Sequence, residues 1–161
     1  MGNIGWQKMS NGRKIITRNR KAHHEYFIED TFEAGIVLQG SEIKSIRDNK
    51  INLQDGFVAE RDGELWLNGV HIAPYEQAGV FGHSDPVRPR KLLLHKREIA
   101  KVISQLHERG YTAIPLQVYL ERGLAKVEIA LAKGKKLHDK RQSIAKRDAE
   151  REIRRNLKQG N

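Results

Sequence analysis

The sequence predicts a mainly β fold with some α: a small antiparallel barrel that carries a basic C-terminal tail. Three observations point there. Short β-rich runs recur through residues 25–131, and two pairs of them flank the turn dipeptides Asp62-Gly63 and Arg122-Gly123. Helical patterns interrupt these runs too rarely for the strand–helix alternation of a parallel sheet. After Leu131 the large apolar residues nearly cease, and Lys, Arg, Ala and Glu take over.

Taken in order, residues 1–14 read as a flexible extension, 15–132 as the barrel and 133–161 as the tail. "EYFIEDTFEAGIVL", 25–38, alternates aromatic and aliphatic residues with acids, as a half-buried strand does. "SEIKSIRD", 41–48, is a short helix with Ser41 as N-cap and Ile43 and Ile46 on one face. "GFVAERDGELWLNGVHIA", 56–73, is a hairpin with a type I′ turn. Residues 74–91 form a long loop with three of the four prolines. In 95–110, Ile99, Val102, Ile103 and Leu106 make an i, i+3, i+4, i+7 stripe, with Gly110 as the C′ residue. "TAIPLQVYLERGLAKVEIAL", 112–131, is a second hairpin, in which Pro115 predicts an edge or a bulge.

The net charge of +10 is unevenly placed. Residues 1–22 hold six basic side chains and no acid, residues 133–161 are at +7, and the stretch between is at −3. Two cationic ends on a near-neutral body suit a polyanion, because neutralising phosphates releases condensed counterions. A tail so polar cannot bury enough to offset its ordering entropy. It is therefore expected to be disordered alone and helical against a surface of opposite charge. Pairs such as Lys146–Glu150 and Glu150–Arg154 support that helix. With no cysteines, no apolar run of the roughly 20 residues a span needs and no signal-peptide pattern, a cytoplasmic protein without membrane contact is expected.

Function reads as binding rather than chemistry. In "NRKAHHEY", Asn19, Arg20, Lys21, His24 and Tyr26 stand at the mouth of the first strand. There cations can hold phosphates and aromatic planes can stack on unpaired bases; the competing reading makes Tyr26 a core residue. Glu33, Glu42 and Lys44 lie near Gly35 and Gly40, where backbone can approach a partner; their carboxylates can accept from base amino groups or orient a neighbouring Arg. The tail motif "KGKKLHDKR" sets His138 and Asp139 among Lys135, Lys136, Lys140 and Arg141, an imidazole to stack among cations for phosphate. Glu42-x-Lys44, with Asp30 or Glu33, resembles half of a divalent-metal nuclease site, and His138–Asp139 half of a catalytic set. The first sits on a helix, the second on a tail with no nucleophile beside it, so no enzyme is expected. The scattered histidines, His71, His83, His95 and His107 among them, show no ligand spacing, and neither metal nor cofactor is expected. An OB-type protein bound permanently to ribosomal RNA fits the same charge layout.

Residues 19–58, the "RPRKLLLHKREI" stretch at 88–99, and "RGLAKVEIALAKGKKLHDKR" at 122–141 resemble the SsrA-binding protein (SmpB) family of bacterial trans-translation. The resemblance runs from about residue 15 to 141 and more loosely beyond; "MGNIGWQKMSNG" lies outside it. It implies an OB-like antiparallel barrel with three helices and a tail unstructured in free solution. It further implies an adaptor for the tRNA-like domain of transfer-messenger RNA, acting with elongation factor Tu on stalled ribosomes. Glu33, Leu93 and Lys126 would belong to the RNA surface. Gly134 and the motif around His138 would enter the decoding centre and the tail the empty mRNA channel of the small subunit. Beyond Arg141 the resemblance is looser, and there charge points to Arg151, Arg154 and Arg155, and apolar character to Ile153 and Leu157. The adaptor is expected to be a monomer.

Overall fold

The structure, a computed structural model, describes the backbone of residues 8–9, 12–75, 85–135 and 137–159. Ten strands are present among them: β1 (Lys8–Met9), β2 (Arg13–Arg18), β3 (Tyr26–Ile36), β4 (Ile51–Asn52), β5 (Phe57–Arg61), β6 (Glu64–Asn68), β7 (His71–Ile72), β8 (Arg90–Leu93), β9 (Tyr111–Glu121) and β10 (Leu124–Gly134). Four helices accompany them: α1 (Ala22–Glu25), α2 (Gly40–Arg47), α3 (Lys96–Leu106) and α4 (Leu137–Gln159).

Eight strands form one antiparallel sheet in the order β1-β2-β9-β10-β3-β8-β6-β5. β5 also pairs with β9 through Val58 and Ala113, so the sheet returns on itself as a ring, in keeping with the expected OB-like fold. β4 and β7 pair separately.

Both predicted hairpins are present. Asp62 and Gly63 have φ of 54° and 75°, and Arg122 and Gly123 of 54° and 79°: each turn holds two successive left-handed residues, as type I′ requires. Pro115 sits at a bulge, not an edge. Opposite consecutive Glu128 and Ile129 stand Gln117 and Pro115, so Leu116 is the extra residue. Two donors of Asn19 fasten that bulge: its backbone N–H reaches Leu116 O at 2.7 Å and its Nδ2 reaches Pro115 O at 3.1 Å.

One core fills the ring. Leu65, Leu67, Leu92, Val118, Val127, Ile129 and Leu131 are essentially sealed from solvent. α3 adds Val102, buried, with Ile99, Ile103 and Leu106 packed alongside, which is the predicted stripe. A smaller cluster on the other face, Ile114, Ala130 and Ala132 under Ala22 of α1, also takes in Tyr26 and Ile28.

Several local expectations are corrected. Residues 22–25 form a helical turn rather than the mouth of a strand, because Ala22 has the second cluster to cover. The N-cap of α2 is Gln39, not Ser41: Gln39 and Glu42 form a reciprocal capping box, with the Gln39 N–H donating to Glu42 Oε1 at 2.8 Å. α3 ends at Leu106 with His107 as C-cap, and Gly110 (φ 88°) instead serves the turn into β9. Arg13 and Lys14, assigned to the extension, lie in β2, which pairs with both β1 and β9. Residues 76–84 of the long loop, with His83, lie outside the described residues.

Candidate nucleic-acid interface

The predicted site residues fall into three groups on this frame. The first centres on Glu33, whose position on β3 places it opposite Glu128 of β10. Around it converge side chains from three other strands. Arg13 Nη2 of β2 donates to Glu33 Oε2 at 2.7 Å, Lys126 Nζ of β10 donates to Oε1 at 3.0 Å, and the Tyr119 hydroxyl of β9 donates to Oε2. Arg13 also bonds Glu121 at 3.2 Å through Nε and lies 4.6 Å above the Tyr119 ring. The hydrogen bond from Tyr119, with those from Lys126 and Arg13, outweighs burial and holds the Glu33 carboxyl below the usual carboxylate range. Burial and that same bond push the Tyr119 phenol well up. Glu33 is thus ionised, and its two oxygens hold Arg13 and Lys126 in place on this face.

Beside this cluster runs a shallow groove of about 330 Å³ past Gly35, Leu93 and His95. Gly35 pairs with Leu93, and a Cβ on Gly35 would meet the Leu93 side chain at 3.5 Å. Leu93 itself is 53% exposed, so it is not a core residue, and its apolar surface lies open next to Lys126.

The second group is the basic rim around α1. Arg20 and Lys21 are exposed; Arg20, His23 and His24 share a groove of about 350 Å³ with Lys146, Arg147 and Glu150 of α4. Arg18, Asn19 and Lys21 continue it toward Asn52 and Gln54. Two predicted members have other work. Tyr26 packs against the second apolar cluster, and the Asn19 amide is committed to Pro115.

The third group is α2, and here the structure corrects the sequence reading. Glu42 is buried at 2% exposure beneath Arg88 and Arg90, so it cannot touch an RNA surface. Gly40 and Lys44 remain exposed, with Lys44 Nζ 5.5 Å from the Tyr75 ring. Asp30 pairs with Lys101 at 3.2 Å, so neither suggested partner of Glu42 joins it in a metal site.

The tail leaves the sheet where Gly134 pairs with Tyr26. Lys135 is fixed to α1, its N–H to Glu25 O at 2.9 Å and its Nζ to His23 O at 2.8 Å. Lys136 and the side chains of His138, Asp139 and Leu157 lie outside the described residues. Lys140 is half-buried, while Arg141, Arg151, Arg154 and Arg155 project into solvent, as do Ile144 and Ile153. The structure thus shows a helix where the sequence expects disorder in the free protein, but one whose described side chains are almost all exposed.

Sequence reasoning missed Arg13, Tyr119 and Glu121. Arg13 stands opposite Glu121 only through the β2–β9 register, and no spacing in the chain announces it.

A ring-closed antiparallel sheet with an open, cation-bearing face and an exposed basic helix beside α1 defines a small OB-like β domain with the surface of a nucleic-acid binder. More narrowly, the chain belongs to the SmpB family: the profile described as "SmpB protein" matches residues 16–159. It is 58% identical over 146 residues to the SsrA-binding protein of Roseiflexus sp. (strain RS-1), covering 91% of this chain and 92% of that one. It is 56% identical to the SsrA-binding protein of Geobacillus kaustophilus (strain HTA426), covering 88% and 91%. A solved chain described as "tmRNA-SmpB: a journey to the center of the bacterial ribosome" superposes with a TM-score of 0.65 at 44% identity, covering 80% of this chain and 93% of that one. No helix among the described residues is long and apolar enough to cross a membrane.

Proposed function

We propose that this chain is the RNA-binding adaptor of trans-translation. It binds the tRNA-like domain of transfer-messenger RNA and brings that RNA to stalled ribosomes, so that the incomplete peptide is tagged. One observation supports this over a general basic surface: Glu33, Leu93 and Lys126, three residues that the family resemblance marks for RNA, gather on one open face. The charges there are pre-oriented, which lowers the ordering cost of binding.

The second half of the reading concerns α4. A helix with exposed Arg141, Arg151, Arg154 and Arg155 suits a channel walled by phosphates. The segment around His138 would occupy the decoding centre and the distal helix the empty mRNA channel of the small subunit. Elongation factor Tu would carry the alanylated RNA in the same complex. The chain acts as a cytoplasmic monomer and carries no chemistry of its own. Alanylation, GTP hydrolysis and peptidyl transfer belong to its partners.

A competition gel at physiological salt tests the first half: a transcript of the tRNA-like domain should displace the labelled RNA far better than generic ribosomal RNA helices. Equal competition would favour a general ribosomal RNA binder.

A further inference from the structure

We propose that Phe27, Lys133 and Tyr111 form a stacking platform for an unpaired base of small-subunit ribosomal RNA, at the root of the tail. The three residues stand in one row across β3, β10 and β9, since Lys133 pairs with Phe27 on one side and Tyr111 on the other. Lys133 follows Leu131 at a spacing of two, so the row sits where the apolar core ends and solvent begins. Lys133 Nζ lies 5.5 Å from the Tyr111 ring centroid, and Lys135 Nζ lies 5.1 Å from that of Phe27.

Phe27 carries the inference. It is 47% exposed, with Lys135 Nζ over the ring and the rest of its surface open, on a strand in which only Ala34 is buried. Stacking a nucleobase on the exposed part of the ring would remove apolar surface from water, and the cation already held over Phe27 would complement the π system. The opposite rim is acidic. Tyr111 donates its hydroxyl to Glu29 at 3.2 Å, which fixes the ring and repels phosphate from that side. A base would therefore lie over Phe27 with its phosphates toward Lys135.

The choice of ribosomal RNA over transfer-messenger RNA follows from placement. Phe27 is roughly 20 Å along β3 from Glu33, six residues at strand rise, so it does not share the Glu33 groove. It does adjoin Gly134 and Lys135, where the chain turns into α4. The inference rests on the adaptor reading above and adds a second RNA contact on the body.

The test uses full-length protein with Phe27→Leu, which keeps apolar bulk but removes the π face, and Phe27→Trp, which restores it. Binding is measured to purified small subunits and, separately, to the tRNA-like domain transcript. Phe27→Leu should weaken subunit binding about tenfold, leave transcript binding within about twofold, and be rescued by Phe27→Trp. Unchanged subunit binding, or a loss confined to the transcript, overturns the platform alone. Wild-type protein that binds neither RNA overturns the adaptor reading and the platform with it.

Discussion

Arg90 grips one oxygen of Glu42 with two nitrogens, Nε at 2.8 Å and Nη2 at 2.6 Å from Oε2, and neither side chain is open to solvent. Arg88 bonds the same carboxylate from the surface side, with Nε at 3.1 Å from Oε2. Arg90 completes its fork on Val70 O at 2.7 Å and Pro86 O at 3.0 Å. The cluster thus ties α2 to the strand ends on either side of the long loop, which is a structural task. We predict that Glu42→Gln lowers the unfolding free energy by about 3–5 kcal/mol, because it leaves Arg90 charged and unpaired in the interior. Urea denaturation measures this. A variant of wild-type stability but weakened RNA binding would return Glu42 to the RNA surface.

The same carboxyl sets a pH dependence. Burial pushes Glu42 up, but hydrogen bonds from Arg88, the Gln39 backbone and Arg90 outweigh it and hold the pKa below the ordinary value. A group depressed on folding contributes stability above its unfolded pKa and loses it as pH falls through the folded one. The stability advantage of wild type over Glu42→Gln should therefore be full at neutral pH and shrink below about pH 4.3. An advantage that grew on acidification would contradict the assignment.

Arg13 and Glu33 should act on RNA as a unit. Arg13→Ala removes a cation from the face and should lower affinity for the tRNA-like domain, flattening the log–log salt slope by up to about 0.9. Glu33→Gln releases the same guanidinium from its anchor, so the double variant should lose less than the two single losses combined. A double-mutant cycle should give a coupling of about 0.5–3 kcal/mol, and strict additivity would show that Glu33 does not position Arg13.

Removal of residues 134–161 separates the two halves of the proposed function. Affinity for the tRNA-like domain should stay within about twofold, and tagging of stalled peptides should vanish. The thermal midpoint should fall only slightly: the Gly134–Tyr26 pairing and the two Lys135 bonds to α1 are lost, but the described α4 side chains are almost all exposed and contribute little. A large loss of RNA affinity would place part of the Glu33-face contact in the tail.

Gly56 tests the packing of the ring. A Cβ there would meet Val70 Cγ2 at 2.7 Å, Pro115 Cγ at 2.8 Å and Leu53 O at 3.1 Å. Gly56→Ala should cost about 1–3 kcal/mol, read by denaturant titration, because neither the proline ring nor the backbone can withdraw freely. A neutral substitution would mean that the ring yields there more than native packing density implies.

What could be read along the chain was what short-range physics fixes. Asp62-Gly63 and Arg122-Gly123 announce their hairpins because few residue pairs take two left-handed positions in succession. The stripe from Ile99 to Leu106 announces α3 because a helix facing a core must repeat its apolar residues every three or four positions. The two cationic ends pointed to a polyanion, since charge is additive and needs no fold to be counted. Long-range geometry decided the remainder. Ser41 has the residue type of a cap, but Gln39 takes that place by bonding Glu42, and Glu42 has the type of a surface acid, but Arg88 and Arg90, more than forty positions away, enclose it. Glu33 acquired its role from Arg13, Tyr119 and Lys126, up to 93 positions distant, and Phe27 and Tyr111 became one row only through Lys133. Register across strands brings such residues together, and no local pattern encodes it, because each strand reads the same whichever neighbour the closing ring supplies.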